Sequence, residues 1–271
     1  MPELPEVETT LRGIEPFISQ KVIAHVLIRE RRLRWPVSRG LAAKITGEKI
    51  LGVRRRSKYI LILFRHGTIL IHLGMSGHLR IFPTNQSVKK HDHIDLILTN
   101  DKLLRFHDPR RFGCFLWVEG DPLFSKQLVN LGPEPFDDAF CARMLFDIAK
   151  RRRTSVKNII MDSRVVAGVC NIYVYESLFR SGISPNRSAR RISLTSYAKL
   201  VLSIRQVLTE AINAGGTTLR DYSKVTGDPG YFAQQLSVYN REGKSCYRCA
   251  GIIRRKVTGQ RSSFYCPRCQ N

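Results

Sequence analysis

Four cysteines near the end of the chain set the tightest constraint on its fold. Cys246-Tyr-Arg-Cys249 and Cys266-Pro-Arg-Cys269 are two C-x-x-C pairs separated by residues 250–265, sixteen positions. Each pair lets two thiolates grip one tetrahedral ion, and a hairpin between the pairs brings all four sulfurs into a closed site. The expected occupant is one structural zinc ion, which folds this segment and leaves no open coordination position for chemistry. Cys114, Cys141 and Cys170 stand alone, so the cysteine pattern is that of a metal site and not of a disulfide framework. Between the pairs, Arg254, Arg255, Lys256 and Arg261 give the hairpin charge suited to phosphates, although ribbons of this kind also serve protein contacts.

Charge says what such a hairpin meets. Forty-five Lys and Arg against 22 Asp and Glu leave a formal +23 on 271 residues, which favours a polyanion over a small neutral substrate. The basic residues come in short clusters along the whole chain, at Arg29–Arg34, Arg54–Lys58, Lys89–Lys90, Arg110–Arg111, Lys150–Arg153 and Arg254–Lys256. A single block would read as a flexible arm; a distributed set reads as a phosphate track. Each phosphate neutralised on such a track adds about 0.9 to the log-log salt slope of binding. No apolar run approaches the roughly 20 residues of a membrane span, and Met-Pro-Glu-Leu-Pro-Glu lacks the apolar core of a signal peptide, so an intracellular protein is expected.

Hydrophobic periodicity divides the chain near Leu131-Gly132-Pro133-Glu134-Pro135. Before that point Val7, Leu11, Ile14 and Ile18 recur at helical spacing behind Pro5, and then β-like runs follow at Val22–Ile28, Tyr59–Phe64, Thr68–Leu73, Ile94–Thr99 and Phe112–Val118. Arg65-His66-Gly67 and Asn100-Asp101 sit between runs as turns, which predicts antiparallel hairpins. Beyond the linker, Ile172–Arg180 predicts a short helix, and Tyr197, Val201, Ile204, Leu208 and Ile212 predict a long one stopped by Gly215-Gly216. Thr217–Tyr231, polar and glycine-containing, reads as a loop.

The N-terminus carries the reactive chemistry. Proline after Met1 is small enough for the methionine to be removed, which leaves Pro2 a free secondary amine. An α-amine titrates near 7.7 to 8.0, so at neutral pH an appreciable share is nucleophilic. Attack of a secondary amine on a sugar's anomeric carbon gives an iminium ion, an electron sink that expels the base and then permits elimination of phosphates. The positive end of the following helix and the chain's overall charge would lower the amine's pKa further. Glu3 can serve beside it as general acid and base; Glu6 and Glu8, further into the helix, are weaker candidates. Taken alone, however, Pro2–Pro5 reads more simply as an extended approach to a helix, with acids in its first turn favouring the macrodipole.

The whole set of motifs reverses that preference. Met-Pro-Glu-Leu-Pro-Glu-Val-Glu at 1–8, His72-Leu-Gly-Met-Ser-Gly77, Lys90-His-Asp-His93, Asp108-Pro-Arg-Arg-Phe-Gly113, Asn171-Ile-Tyr173, Gly230-Tyr-Phe232 and Phe264-Tyr-Cys266-Pro-Arg-Cys269-Gln270 occur in one order along the chain. In this the sequence resembles the bacterial formamidopyrimidine-DNA glycosylase family, which shares its machinery with endonuclease VIII. The resemblance implies an α+β fold: an N-terminal β-sandwich flanked by helices over 1–131, a helix-two-turn-helix module over 132–235 with a lesion-covering loop near 217–231, and a zinc-finger hairpin over 236–271. It implies Pro2 as nucleophile, Glu3 as acid and base, Lys58 beside the lesion phosphate, and Asn171 and Arg261 holding phosphates. Met75, Arg110 and Phe112 would fill the void left by an extruded nucleotide, a physically sensible trio because Phe and Met wedge between bases while Arg satisfies the widowed cytosine. His91 and Lys157 are further DNA contacts carried by shorter matches. Two positions depart from the family's pattern. Cys170 stands where glycine is usual, a change costing on the order of 1 kcal/mol if the backbone there has positive φ, and Tyr175 replaces a small or polar residue.

What the resemblance implies is a monomeric, cytoplasmic bifunctional glycosylase and apurinic/apyrimidinic lyase of base excision repair, acting on duplex DNA with oxidised purines or abasic sites. Leu4 and the trio Met75, Arg110 and Phe112 favour purine lesions over the oxidised pyrimidines taken by endonuclease VIII. A zinc-finger DNA-binding protein without chemistry is the rival reading of another class; intact Pro2, Glu3 and Lys58 speak against it.

Overall fold

A computed structural model describes residues 2–217, 232–258 and 261–271; of Ala233, Gln234, Thr258 and Arg261 it describes the backbone alone. The chain forms two compact units, one from Met1–Asn130 with Ile212–Tyr231 and the other from Leu131–Ala211 with Phe232–Asn271. The segment read as a covering loop lies, apart from Thr217, outside the described residues.

In the first unit helix α1 (Leu4–Ile18) begins with Pro5 in its first turn and buries Val7, Leu11, Ile14 and Ile18, the face that the sequence periodicity marks. Strand β1 (Ile23–Ile28) and the short helix α2 (Leu41–Ile45) follow, then β2 (Gly52–Arg56), β3 (Tyr59–Phe64), β4 (Gly67–His72), β5 (His78–Pro83), β6 (Asp92–Leu98), β7 (Lys102–His107) and β8 (Cys114–Glu119). They make two four-stranded antiparallel sheets, ordered β1-β6-β7-β5 and β2-β3-β4-β8. Alternate residues of both sheets, Ile60, Ile62 and Phe64 from one and Leu96, Leu104 and Phe106 from the other, enter one core with the apolar face of α1. The two strands with least apolar alternation are edges. Gly52-Val-Arg-Arg-Arg56 and His78-Leu-Arg-Ile-Phe-Pro83 carry the charges and the proline that an exposed edge tolerates.

The second unit is helical, with α3 (Ala142–Lys150), α4 (Val156–Met161), α5 (Asn171–Arg180) and most of α6 (Leu194–Asn213), followed by the hairpin of β9 (Arg254–Thr258) and β10 (Arg261–Tyr265). Ser155 caps α4 by accepting the Asn158 N–H. After α6 the backbone turns through Gly215 and Gly216 at φ +78° and +84°, a conformation that favours glycine. Glu176, buried on α5, accepts the backbone N–H groups of Ser237, Val238 and Tyr239 at 2.9 to 3.0 Å, fixing the chain that leads to the hairpin. No helix among the described residues is long and apolar enough to cross a membrane.

Candidate active site and nucleic-acid interface

Pro2 and Glu3 are both buried at the start of α1. Glu3 is the helix N-cap, and it exchanges hydrogen bonds with Glu6 in a capping box: the Glu3 carboxylate accepts the Glu6 N–H, and Glu6 Oε2 accepts the Glu3 N–H at 2.8 Å. Glu8, one turn further, binds Arg55 of β2 at 2.8 Å and Arg12 at 2.9 Å. Burial pushes the Glu8 carboxyl up, but its hydrogen bonds and the charges of Arg55 and Arg12 outweigh that and hold it below the usual range. Arg55 also donates to the Ser57 carbonyl at 3.1 Å, so α1 props the β2–β3 turn that carries Lys58. The Lys58 charge reaches His72 at the end of β4: burial, then Lys58 and Arg34, push His72 down to about 4.

The loops bearing Met75 and Phe112 are locked together by Asp108. Its carboxylate, fully buried, accepts the Ser76 hydroxyl at 2.9 Å and the Gly113 N–H at 2.7 Å, and its carbonyl accepts His93 Nε2–H at 2.8 Å. Gly74, at φ +64°, lies so close that a Cβ would sit 2.5 Å from the Phe112 carbonyl carbon, and no other residue fits there. The result is two large apolar side chains held outward. Met75 is 37% and Phe112 43% exposed, although such residues beside strands ordinarily pack inward. Arg110 lies over the Phe112 ring, 4.9 Å from its centroid. His91, in the turn before β6 at φ +75°, meets His93 and His107 edge-on at 6.2 and 6.0 Å, and burial with nearby Lys90 pushes its pKa down.

The second unit holds the remaining candidates. Asn171 is the first residue of α5, where helix amides point outward with positive potential. Cys170 before it has φ −139° and ψ −168°, extended backbone open to any residue, so the cysteine in glycine's usual place carries no backbone strain. Lys157, on α4, is 3% exposed and donates to Ser263 Oγ at 3.1 Å, with its ammonium turned inward. Arg261 opens β10, in register with Thr258.

Around the hairpin the Cys246, Cys249, Cys266 and Cys269 sulfurs all lie within 4.8 Å of one another, the Cys246–Cys269 pair at 3.9 Å and the Cys249–Cys266 pair at 3.5 Å. Four thiolates about 2.3 Å from a central ion stand about 3.8 Å apart, so this set fits one tetrahedral zinc. From the sequence Glu6 is only a weaker acid and base candidate and Asp108 has no assigned role. The signal for Asp108 is its place in the Asp-Pro-Arg-Arg-Phe-Gly motif; Glu6 has none beyond the capping-box spacing.

Comparison with known proteins agrees along the chain. Residues 1–115 match the formamidopyrimidine-DNA glycosylase N-terminal domain, 131–223 the H2TH domain of the same enzymes, and 243–271 the zinc finger found in FPG and IleRS. Proteins named formamidopyrimidine-DNA glycosylase from Syntrophotalea carbinolica and Alcanivorax borkumensis are 53% and 52% identical, each covered over its whole length as this chain is. Among solved structures, the MutM (Fpg) protein of Thermus thermophilus matches with TM-score 0.87 and 37% identity over 99% of this chain and 98% of its own. Lactococcus lactis Fpg structures match over the full length of both chains with TM-score 0.91 and 30% identity, one a mutant bound to DNA containing Fapy-dG and one bound to DNA containing an abasic site.

Proposed function

The chain belongs to the formamidopyrimidine-DNA glycosylase family, and on that footing we propose that it is a bifunctional DNA glycosylase and apurinic/apyrimidinic lyase that excises oxidised purines, chiefly 8-oxoguanine and formamidopyrimidines, from duplex DNA. Its setting is base excision repair on the bacterial chromosome in the cytoplasm. The observation that carries the reading is the Pro2–Glu3 terminus, buried at the positive end of α1 and held there by the Glu3–Glu6 capping box.

Once Met1 is removed, the Pro2 nitrogen attacks C1′ of the damaged nucleotide. The N–C1′ bond forms as the glycosidic bond breaks, the ring oxygen takes a proton from Glu3, and the base leaves with the bonding pair. The Pro2 nitrogen gives up its proton, its lone pair forms the C1′=N iminium as the C1′–O4′ bond breaks, and the protonated ring oxygen remains on the opened sugar as the 4′ hydroxyl. Loss of a C2′ proton then expels the 3′ phosphate, a second elimination expels the 5′ phosphate, and hydrolysis of the iminium frees the amine. Lys58, on a turn propped from α1 through Arg55, neutralises the phosphate beside the lesion. Asn171 and Arg261 hold the neighbouring phosphates, the first with the amide end of α5, the second from β10. Met75, Arg110 and Phe112, held outward by the Asp108 lock, enter the stack when the nucleotide leaves it, and His91 contacts the backbone nearby. Lys157, facing Ser263, acts on the DNA through the hairpin it supports. Zinc bound by the four cysteines fixes that hairpin.

The test is a duplex with one 8-oxoguanine opposite cytosine, incubated with processed protein and borohydride. A DNA adduct mapped to Pro2 by mass spectrometry is expected, and chemical blocking of the N-terminal amine should abolish it. Blocking is the informative control because any residue substituted for Pro2 brings its own α-amine. Undiminished crosslinking after blocking would remove Pro2 from the mechanism. Faster excision of thymine glycol than of 8-oxoguanine would move the substrate to oxidised pyrimidines.

A further inference from the structure

The Glu6 carboxylate joins two stretches of the first unit that are remote in sequence. Oε2 accepts the Glu3 N–H at 2.8 Å, and Oε1 accepts the Thr217 N–H at 2.7 Å across 211 residues. All three residues are buried, Glu6 to 3% exposure, so neither bond competes with solvent. Both are in the short range of charge-assisted hydrogen bonds. The backbone is shaped to make the second one. Gly216 has φ +84°, a conformation that favours glycine, and a Cβ there would come within 3.2 Å of Glu6 Cγ and Oε1, so the chain passes close against the carboxylate. A capping box accounts for the Glu3 bond alone. It gives no reason for an acid to reach Thr217, nor for two glycines, Gly215 and Gly216, to bring Thr217 to it.

We infer that Glu6 is a positioning residue that fixes the nucleophile-bearing terminus and the backbone at Thr217 to each other, so that recognition of the damaged base and attack at its sugar are set by one carboxylate. This deepens the function proposed above and rests on it, since Thr217 starts the segment whose sequence reads as the cover over the base. The side chain is specified closely. Glutamine replaces one acceptor oxygen with an N–H₂ group that cannot accept, and aspartate is shorter by a methylene, so each loses one of the two bonds.

An abasic site separates the coupling from the chemistry, because it needs the amine but offers no base to recognise. With Glu6→Gln, single-turnover excision of 8-oxoguanine should fall by about 10- to 100-fold, the factor that loss of one buried charged hydrogen bond carries. Strand cleavage at a preformed abasic site by the same protein should fall by less than about a third of that factor. Hydrogen exchange at the Thr217 amide, measured on the free protein, should accelerate about 10-fold or more, with circular dichroism and zinc content unchanged. An equal loss on both substrates would reduce Glu6 to a support of the terminus and overturn the coupling. Unchanged exchange at Thr217 would overturn it too, whatever the enzyme does to DNA. The exchange readout needs no catalysis, so failure of this inference is distinguishable from failure of the lyase assignment, which the borohydride adduct of the wild-type protein decides.

Discussion

Lys157 turns its ammonium onto the hydroxyl of Ser263, Nζ to Oγ 3.1 Å, at a place on β10 closed to solvent. The same Oγ is 3.2 Å from the Tyr175 hydroxyl, and the Tyr175 ring packs among Tyr239 and Phe264. Tyr175, where the family has a small or polar residue, therefore fills the space between α5 and the hairpin and closes the network with its hydroxyl. A lysine spent in this way is not released to a phosphate without breaking a buried bond. In a salt titration of DNA binding, Lys157→Met should leave the log-log slope within about 0.3 of wild type, whereas Lys58→Met should reduce it by about 0.9. Ser263→Ala should cost about 1 to 3 kcal/mol of stability by leaving Lys157 and Tyr175 short of a partner. A full phosphate's worth of slope lost in Lys157→Met would put its ammonium on the DNA backbone.

Arg105 forms a second buried network, on the sheet that carries His91. Its guanidinium forks onto Asp95 with two contacts of 2.8 Å and reaches Asp92 at 3.2 Å, while Arg29 shares Asp95 at 2.5 Å. Removing one partner of a buried pair strands the other charge. Arg105→Met should destabilise the protein by about 3 to 5 kcal/mol in urea unfolding, and adding Asp95→Leu should recover part of that loss. Strict additivity of the two changes would show that they do not interact.

How much of this was legible in the sequence depended on the kind of signal. α1, α5 and α6 and the strands β3 and β4 are long apolar patterns at a single period, and the structure has them within a few residues of where periodicity puts them. β2, β5 and β7 escaped because their alternation is interrupted by Arg54, Arg80 and Arg105, of which the last is buried only because Asp92 and Asp95 meet it from β6. No periodicity within a strand reports a partner on the strand beside it. The four cysteines were legible because spacing is itself the signal. Glu6 was not, since its second bond goes to Thr217, and only the folded chain shows that the two are neighbours.

His78 makes stability depend on pH. It stacks on His107 at 4.6 Å, in cross-strand register with it, and His107 Nδ1 is 2.7 Å from Asp92 Oδ1. Burial, then the charges of Arg80 and His107, push His78 down to about 4, against the opposing hydrogen bond to Ser76 and charge of Asp92. Because the folded pKa lies below the ordinary 6.5, the unfolded chain binds the proton first. Folding is thus favoured by this group above pH 6.5, and that advantage is lost as pH falls towards about 4. His72, also pushed down to about 4, adds a contribution of the same sign. The urea midpoint should therefore fall between pH 7 and pH 5, and His78→Gln should flatten that fall. An unchanged pH dependence in His78→Gln would mean that His78 takes up its proton equally well in the folded protein.

Zinc removal should act on the hairpin and spare the sandwich. The hairpin has two five-residue strands, and its core is a small cluster in which Val238, Ile253 and Phe264 pack with Cys246 and Cys266. A two-stranded hairpin is marginal in water, so the four thiolates must supply much of what holds β9 and β10 together when an ion joins them. The first unit instead has eight strands among the described residues and its own core, and both tryptophans, Trp35 and Trp117, belong to it. Treatment with a strong chelator should release one zinc per chain, accelerate hydrogen exchange across 246–269 and weaken DNA binding. The tryptophan-monitored unfolding transition should move little. Persistent protection across 246–269 after complete zinc loss would mean that the hydrophobic cluster alone folds the hairpin; a collapse of the tryptophan transition would mean that the sandwich depends on the ion as well.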